Sequence, residues 1–381
     1  MLFRSNVYKK IKIGYVSSDF VYHAVSNFIL PIIENHDKEL FELYLFTELN
    51  HEDVKRTITG NVRIINIQNV STLECSQLIY NLGIDILIDL NGYTDKNRLD
   101  IFSKNPAPIQ VNYLGYPNTL GLSCIKYRIT DHISDHKDST QIFSEELLRM
   151  PKSFLLFKSV LQKKPFEPKI KNNSDEIILG SLNKEFKISE NTLNMWRTIL
   201  EKTNNTKILI KLNNIDNIEY GKRLFMEKLN ITEDRLLIFG YCTNTEYINL
   251  LQKIDILLDT IPYSGTTTTC NALYNSTPVV TMYHKDYHVH NVTSSLLINT
   301  GFPELVTYSE NEYIEKTIQL CNNLQQINTY KQTIGVKFSE LMNPKNFMIS
   351  YEGILIDLYR EHYENKSLEI TENKITNKEN I

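Results

Sequence analysis

An α/β protein with two parallel sheets is expected from one pattern that occurs twice and from the polar stretch between its two occurrences. Five short apolar runs, KIKIGYV (10–16), LYLFT (43–47), RIINI (63–67), IDILIDL (84–90) and PIQVNYLG (108–115), alternate with helical stretches. Strands separated by helices are joined by crossovers, which pair neighbouring strands in parallel. A second series follows: EIILGSL (176–182), KILIKL (207–212), LLIFGY (236–241), IDILLDT (254–260) and TPVVTM (277–282). Between them, KSVLQKKPFEPKIKNNSDE (158–176) is rich in Lys, Pro and Asn and has little apolar periodicity, which marks a linker.

The length of 381 residues also favours two cores over one. The expected boundaries are a first α/β domain over 1–160, a linker over 161–175, a second α/β domain over 176–345, a C-terminal helix over 346–363 and a disordered polar tail over 364–381. Within the second domain, Thr243-Asn244-Thr245-Glu246 has the form of a capping box. Tyr247, Leu250, Leu251 and Ile254 follow it at helical spacing.

Composition narrows the function classes. Hydrophobic residues at 41% and charged residues at 23% describe a folded globular chain. A net charge of −4, with both signs mixed along the chain, offers no basic face for nucleic acid. The five cysteines are scattered and form no CxxC pair, so reduced thiols are expected rather than disulfides or a zinc site. The N-terminus lacks the apolar core of a signal peptide, and no apolar run reaches membrane-spanning length. A cytoplasmic protein with no membrane partner is expected.

The chemistry concentrates where strands end. In LLDTIPYSGTTTTCNALY (257–274) an apolar strand runs out at Asp259, and a tight loop opens into a helix. Gly265 allows close backbone approach, and Thr266, Thr267, Thr268 and Thr269 surround a helix start whose N–H groups and dipole attract an anion such as a diphosphate. A Thr-rich cap without ligand fits the same residues. Neither GxGxxG nor a Walker A sequence occurs, which removes the main support for hydride transfer and P-loop phosphoryl transfer.

Lys184 and Lys187 follow the strand that ends at Leu182, at the sheet edge where open α/β folds bind ligands. A lysine there can neutralise charge on a departing phosphate, and a solvated loop lysine is the alternative. In the first half, Ser17, Ser18, Asp19 and His23 follow the first strand, and His23 fits either a general base, a sugar contact or a structural role. DLNGYT (89–94) and GYPNTLG (115–121) add glycine-containing turns at strand ends. His284, Asp286, His288 and His290 lie close in sequence. In an extended segment His288 and His290 point to opposite faces, which disfavours a metal site and leaves nucleotide contact or packing.

IGYVSSDF, NPAPIQVNYLGYPNTLG, YRITD, the N-x-x-x-K of Asn183 to Lys187, DTIPYSGTTTTCNALY, TPVVTM and HVHNV occur in this order. Together they resemble the catalytic region of the O-GlcNAc transferase and SPINDLY family over most of the chain. The GTTTTC and HVHN stretches look closer to SPINDLY and its bacterial relatives. The resemblance implies a GT-B fold of two facing Rossmann-like domains, the N-terminal one on the acceptor side and the C-terminal one holding the nucleotide-sugar, with no metal. It implies that Lys187 stabilises the leaving diphosphate, that Thr267 and Thr268 bind phosphate and that His23 lies near sugar and acceptor. Gly121, Asn183, Gly265, Thr266, Asn271, His288, His290 and Asn291 are placed at the donor.

Asn271 stands where relatives carry a carboxylate expected near the ribose, which puts donor affinity in question. No 34-residue helical repeats precede the motifs, so a different acceptor or a separate recognition subunit is implied. The reaction implied is transfer of GlcNAc from UDP-GlcNAc to protein Ser or Thr hydroxyls, with inversion. Fucose transfer from GDP-fucose, transfer to a small molecule or glycan, and a catalytically silent sugar-nucleotide or protein-binding module are the alternatives.

Overall fold

A computed structural model describes residues 9–21, 23–58, 60, 62–172, 176–212 and 218–379, with side chains described as far as Tyr363. The chain ends at 1–8 and 380–381, and the last three residues of the expected linker (173–175), lie outside the described residues.

All ten runs singled out in the sequence are strands. They are β1 (Ile11–Val16), β2 (Phe41–Thr47), β3 (Val62–Asn66), β4 (Ile86–Asp89) and β5 (Ile109–Tyr113), then, with β6 (Tyr127–Asp131) and β7 (Glu146–Met150) intervening, β8 (Ile177–Ser181), β9 (Thr206–Lys211), β10 (Leu236–Phe239), β11 (Ile256–Leu258) and β12 (Val279–Met282). The two-residue β13 (Val306–Thr307) completes the set. β6, β7 and β13 are additions to the expected pattern.

The first sheet has the order β3-β2-β1-β4-β5-β6-β7 and the second β10-β9-β8-β11-β12-β13. β1 pairs in parallel with both β2 and β4, and β8 with both β9 and β11. Each sheet therefore reverses its strand order beside its first strand. The C-terminal ends of β1 and β4, and of β8 and β11, flank the two switch points where such sheets form a ligand crevice.

The chain divides into two compact units: Met1–Thr130 with Ile142–Lys158 and Pro344–Ile381, and Asp131–Gln141 with Ser159–Asn343. Short segments and the C-terminal helix are thus exchanged relative to a simple split of the chain. The helix Pro344–Glu379 belongs to the first unit and runs on through the polar stretch expected to be disordered. Its anchor is polar as well as apolar. Tyr351 is buried and its hydroxyl lies 3.1 Å from that of Tyr15. Glu352 accepts from the Asp37 N–H at 2.7 Å and lies 2.9 Å from His36 Nδ1.

Local chemistry explains the element boundaries. The expected capping box is present: Thr243 accepts from the Glu246 N–H and Glu246 reaches back to the Thr243 N–H, opening the helix Asn244–Leu251. A second box, Ser71 with Glu74, opens Thr72–Leu82, which closes on Gly83 in the left-handed region. In the second unit the buried Trp196 lies 3.4 Å by Nε1 from the Tyr313 hydroxyl, which donates to the Asp259 carbonyl at 3.0 Å. That chain joins the core to the loop after β11. No helix among the described residues is long and apolar enough to cross a membrane.

Gly115, just after β5, crosses the backbone beyond β4 so closely that an added Cβ would lie 1.8 Å from the Leu90 carbonyl oxygen. Relief would require backbone displacement, since no flexible side-chain end is involved. Gly115→Ala is expected to destabilise the protein by about 1–3 kcal/mol. Urea denaturation checks this, and an unchanged midpoint would contradict the close packing of the two strand ends.

Candidate functional site

In the second unit the crevice beside β8 and β11 is built around Asp259, which is 1% exposed. Its Oδ1 accepts from the backbone N–H of Gly265 at 2.7 Å and of Thr260 at 3.0 Å, and its Oδ2 accepts from the Thr281 hydroxyl at 2.7 Å. Burial raises its pKa, and these donors oppose the rise. The carboxylate draws the 260–265 loop back onto the end of its own strand. Thr192 completes the clamp on the far side: its hydroxyl donates to the Ile261 carbonyl and accepts from the Ile261 N–H.

This loop delivers the chain into the helix Thr267–Tyr274. Gly265 has no room for a side chain, because a Cβ would lie 2.5 Å from the Thr268 hydroxyl and 2.7 Å from that of Thr269. Thr266 precedes the helix but no side chain caps it, and the first turn carries no acidic residue. The alternative reading of the threonines as side-chain caps is not met, and they take separate roles. The Thr268 hydroxyl donates to Asn183 Oδ1 at 2.6 Å, and Thr269 pairs with Thr293, itself a donor to the Gly265 carbonyl at 2.9 Å. A helix start without a capping acceptor leaves its N–H groups and positive dipole end available to an anion.

Asn183, just beyond β8, joins the two strand ends: its Nδ2 donates to the Thr260 hydroxyl at 3.0 Å while its Oδ1 receives Thr268. Lys187 closes a short 3-10 turn, Glu185–Lys187, and its Nζ donates to the Ser264 carbonyl at 2.9 Å. Burial pushes its ammonium down to about 8, with Asp259 acting in the opposite direction and Lys184 reinforcing the fall. Lys187, Asn183, Gly265 and Thr268 thus converge, as their places at strand ends led one to expect.

The His-rich segment begins a helix, His288–Thr300, and is not extended as expected. His288 Nδ1 lies 2.7 Å from Asp135 Oδ2, and its N–H donates to Gln141 Oε1. His290 Nδ1 donates to the Met282 carbonyl at 2.9 Å, and burial lowers its pKa. Asn291 accepts from the His284 N–H at 2.9 Å. The three side chains are committed to fastening the 282–291 segment. Asp286 accepts from the Thr140 N–H, and among the described residues no group of three or more His, Cys, Asp or Glu is arranged to hold a metal.

Asn271 is 2% exposed, and its Oδ1 has no hydrogen-bond partner among the described residues. The Tyr247 hydroxyl is buried beside the Asn271 side chain. Burial raises the Tyr247 pKa, with the neighbouring Asn271 side chain opposing the rise. Tyr247 entered the sequence reading only as a helix-face residue. Its hydroxyl gave no motif by which to single it out.

In the first unit, β1 and β4 carry a second polar cluster. Asn91 Nδ2 donates to Asp19 Oδ2 and to the Ser18 hydroxyl, both at 2.9 Å. Asp19 Oδ2 lies 3.4 Å from His23 Nδ1, and the His23 side chain is 48% exposed. His23 Nδ1 accepts from the Val25 N–H at 3.3 Å, which leaves Asp19 a nearby carboxylate rather than a hydrogen-bond acceptor for that nitrogen. Gly121 adopts φ +67° in the turn beyond β5, with open space where a side chain would stand. The turn is held from beneath by Arg128, buried and donating to the Asn118 and Tyr116 carbonyls at 2.8 and 2.9 Å.

The chain is similar in sequence and fold to known proteins. The chain is 31% identical over 365 residues to the Solanum lycopersicum protein named "Probable UDP-N-acetylglucosamine--peptide N-acetylglucosaminyltransferase SPINDLY", covering 93% of this chain and 39% of that protein. It is 23% identical to the UDP-N-acetylglucosamine--peptide N-acetylglucosaminyltransferase of Caenorhabditis elegans, covering 93% of this chain and 41% of that protein. The chain thus spans about two fifths of the length of these relatives. A Thermobaculum terrenum O-GlcNAc transferase, solved as a lysine-to-methionine mutant, superposes with a TM-score of 0.85 at 25% identity, over 95% of this chain and 70% of that one. The Anabaena protein HepE, solved with UDP, shares the fold with a TM-score of 0.57 at 10% identity, over 92% of this chain and all of that one. The family model for glycosyl transferase family 41 matches residues 3–164 and 167–350, and with a GT-B fold of two Rossmann-like units the chain belongs to that family.

Proposed function

We propose that the chain is an inverting, metal-independent protein O-glycosyltransferase that moves GlcNAc from UDP-GlcNAc to Ser or Thr hydroxyls. The observation that carries this reading is the convergence of Lys187 with the uncapped start of Thr267–Tyr274 and the Asn183–Thr268 bridge. Two adjacent phosphates require fixed positive potential close by, and a helix start with an ammonium supplies it. The acceptor hydroxyl oxygen attacks the anomeric carbon and its proton passes to the leaving diphosphate or to solvent, the bond from that carbon to the β-phosphate oxygen breaks, and the nucleoside diphosphate leaves with the electron pair. Lys187 stabilises the charge that grows on the leaving oxygen, and Thr267 and Thr268 hold the phosphates through the backbone N–H groups of the helix start, the Thr268 hydroxyl being given to Asn183. His23, its Nδ1 held by the Val25 N–H, serves the acceptor or sugar side in the first unit, where its exposure leaves it accessible to a ligand.

The relatives named as peptide N-acetylglucosaminyltransferases support a protein acceptor and a UDP-sugar donor. The buried Asn271, without a carboxylate's charge, favours weaker donor binding than its relatives have. GDP-fucose is the alternative donor that the SPINDLY likeness permits. Five free cysteines, two of them buried, suit a cytoplasmic setting. Donor hydrolysis with UDP-GlcNAc, GDP-fucose and UDP-glucose in parallel tests the donor: fastest turnover with UDP-GlcNAc is expected, and turnover with GDP-fucose alone would replace it.

Lys187→Ala is expected to leave the fold intact and to lower turnover by on the order of 10²-fold at saturating donor, as seen when one transition-state donor is removed. Near wild-type turnover would exclude Lys187 from the chemistry. Because the ammonium is the active form, kcat/KM should be constant at lower pH and fall as pH rises through about 8. A pH profile of donor turnover measures this, and a basic limb that persists in Lys187→Ala would assign it to another group. Activity should persist in excess EDTA, and loss restored by Mg²⁺ or Mn²⁺ would reject metal independence.

A further inference from the structure

Beside Lys187 lies an aromatic ring that none of the roles above uses. Lys187 Nζ stands 3.6 Å from the centroid of the Tyr263 ring, well inside the roughly 6 Å range of a cation–π contact. The next residue in the chain, Ser264, supplies the carbonyl that accepts from the same ammonium at 2.9 Å. Adjacent residues therefore grip the cation from two directions. An ammonium has three N–H groups, so a third direction remains for a ligand.

The grip is itself anchored. The Tyr263 carbonyl accepts from the Thr260 hydroxyl at 2.7 Å, and the Ser264 hydroxyl and N–H both donate to the Val289 carbonyl, at 2.9 and 3.1 Å. On the lysine side, the Lys187 N–H donates to the Lys184 carbonyl at 2.9 Å, which fixes the turn that carries it. Phe186, 65% exposed, leans on Tyr263 with ring centroids 6.3 Å apart. A free lysine side chain has large rotamer freedom, and these contacts remove it before any ligand arrives.

We infer that Tyr263 is a positioning residue whose ring face holds the Lys187 ammonium in the direction from which it meets a departing diphosphate. This rests on the reading of Lys187 given above. A simple apolar cover would exclude water equally well with any bulky side chain. A ring face adds attraction for the cation itself, which favours the protonated lysine against the cost of its burial and the repulsion of Lys184. Asp259 acts in the same sense from the loop base.

Tyr263→Leu retains an apolar cover and removes the ring face, whereas Tyr263→Phe retains the face. Turnover at saturating donor is expected to fall roughly threefold to thirtyfold in the Leu variant and to stay within about twofold of wild type in the Phe variant. The Lys187 resonance in ¹³C-lysine-labelled protein, identified by its loss in Lys187→Arg, gives a readout that needs no donor. Its side-chain protons should be displaced upfield by the ring current in wild type and Tyr263→Phe, but not in Tyr263→Leu. Its titration midpoint should fall in the Leu variant only. An unchanged or raised midpoint in Tyr263→Leu, or a Phe variant as impaired as the Leu variant, overturns the inference. Absence of turnover with every nucleotide-sugar, alongside the expected shifts in the resonance, would instead reject the glycosyltransferase reading.

Discussion

The buried carboxylate of Asp259 is the interaction on which the second unit's crevice depends. Removing an ionised carboxylate from water costs several kcal/mol unless donors replace the lost hydration. Here the donors are the backbone of Gly265 and Thr260 and the hydroxyl of Thr281. Satisfying the charge therefore determines the course of the loop. Because Gly265 is held against the strand end, Thr268 arrives at Asn183 and the Ser264 carbonyl arrives at Lys187. The same Asp259 charge supports a lysine ammonium that burial would otherwise discourage. One carboxylate thus organises both the loop geometry and the charge of the group that faces the ligand.

The first unit uses the same principle with different residues. Asp89, at the end of β4, accepts from the Asn91 and Gly92 N–H groups and from Asn112 Nδ2. Burial raises it to about 6, opposed by those donors and by Arg128. Arg128 then spans from Asn112 to the carbonyls of the 116–118 turn. Each unit places a buried carboxylate one strand from its first, at its switch point, and lets the loops beyond it take shape around that charge. The exposed side chains, His23 among them, are carried on loops whose bases are fixed.

The ten strands of the two series were legible because each is a short apolar run bounded by turn residues. That signature is strongest in the inner strands, which are parallel and buried on both faces, and weaker in the edge strands β3 and β10. β13 was not, since two residues carry no periodicity, and β7, with ELLRM half exposed, has a mixed pattern. The tail beyond Tyr363 reads as polar and yet continues a helix, because a helix already formed is extended one residue at a time with no new nucleation. At the site, Lys187 and the GTTTTC start were legible from their places after strands. The individual threonine roles were not, because they depend on partners such as Asn183 and Thr293, many residues away in sequence. Tyr263 escaped notice for the same reason. Its partner is the lysine at the end of another strand, and spacing along the chain says nothing of a ring lying over an ammonium.

The central claim is that the Lys187 ammonium and the start of Thr267–Tyr274 together receive a nucleoside diphosphate. Titration calorimetry of UDP at pH 8, repeated in buffers of different ionisation enthalpy, tests it most directly. A diphosphate beside Lys187 raises its pKa, so binding should draw protons from the buffer, and this uptake should vanish in Lys187→Met. UDP binding with no proton uptake, or with an uptake that survives in Lys187→Met, would contradict the account.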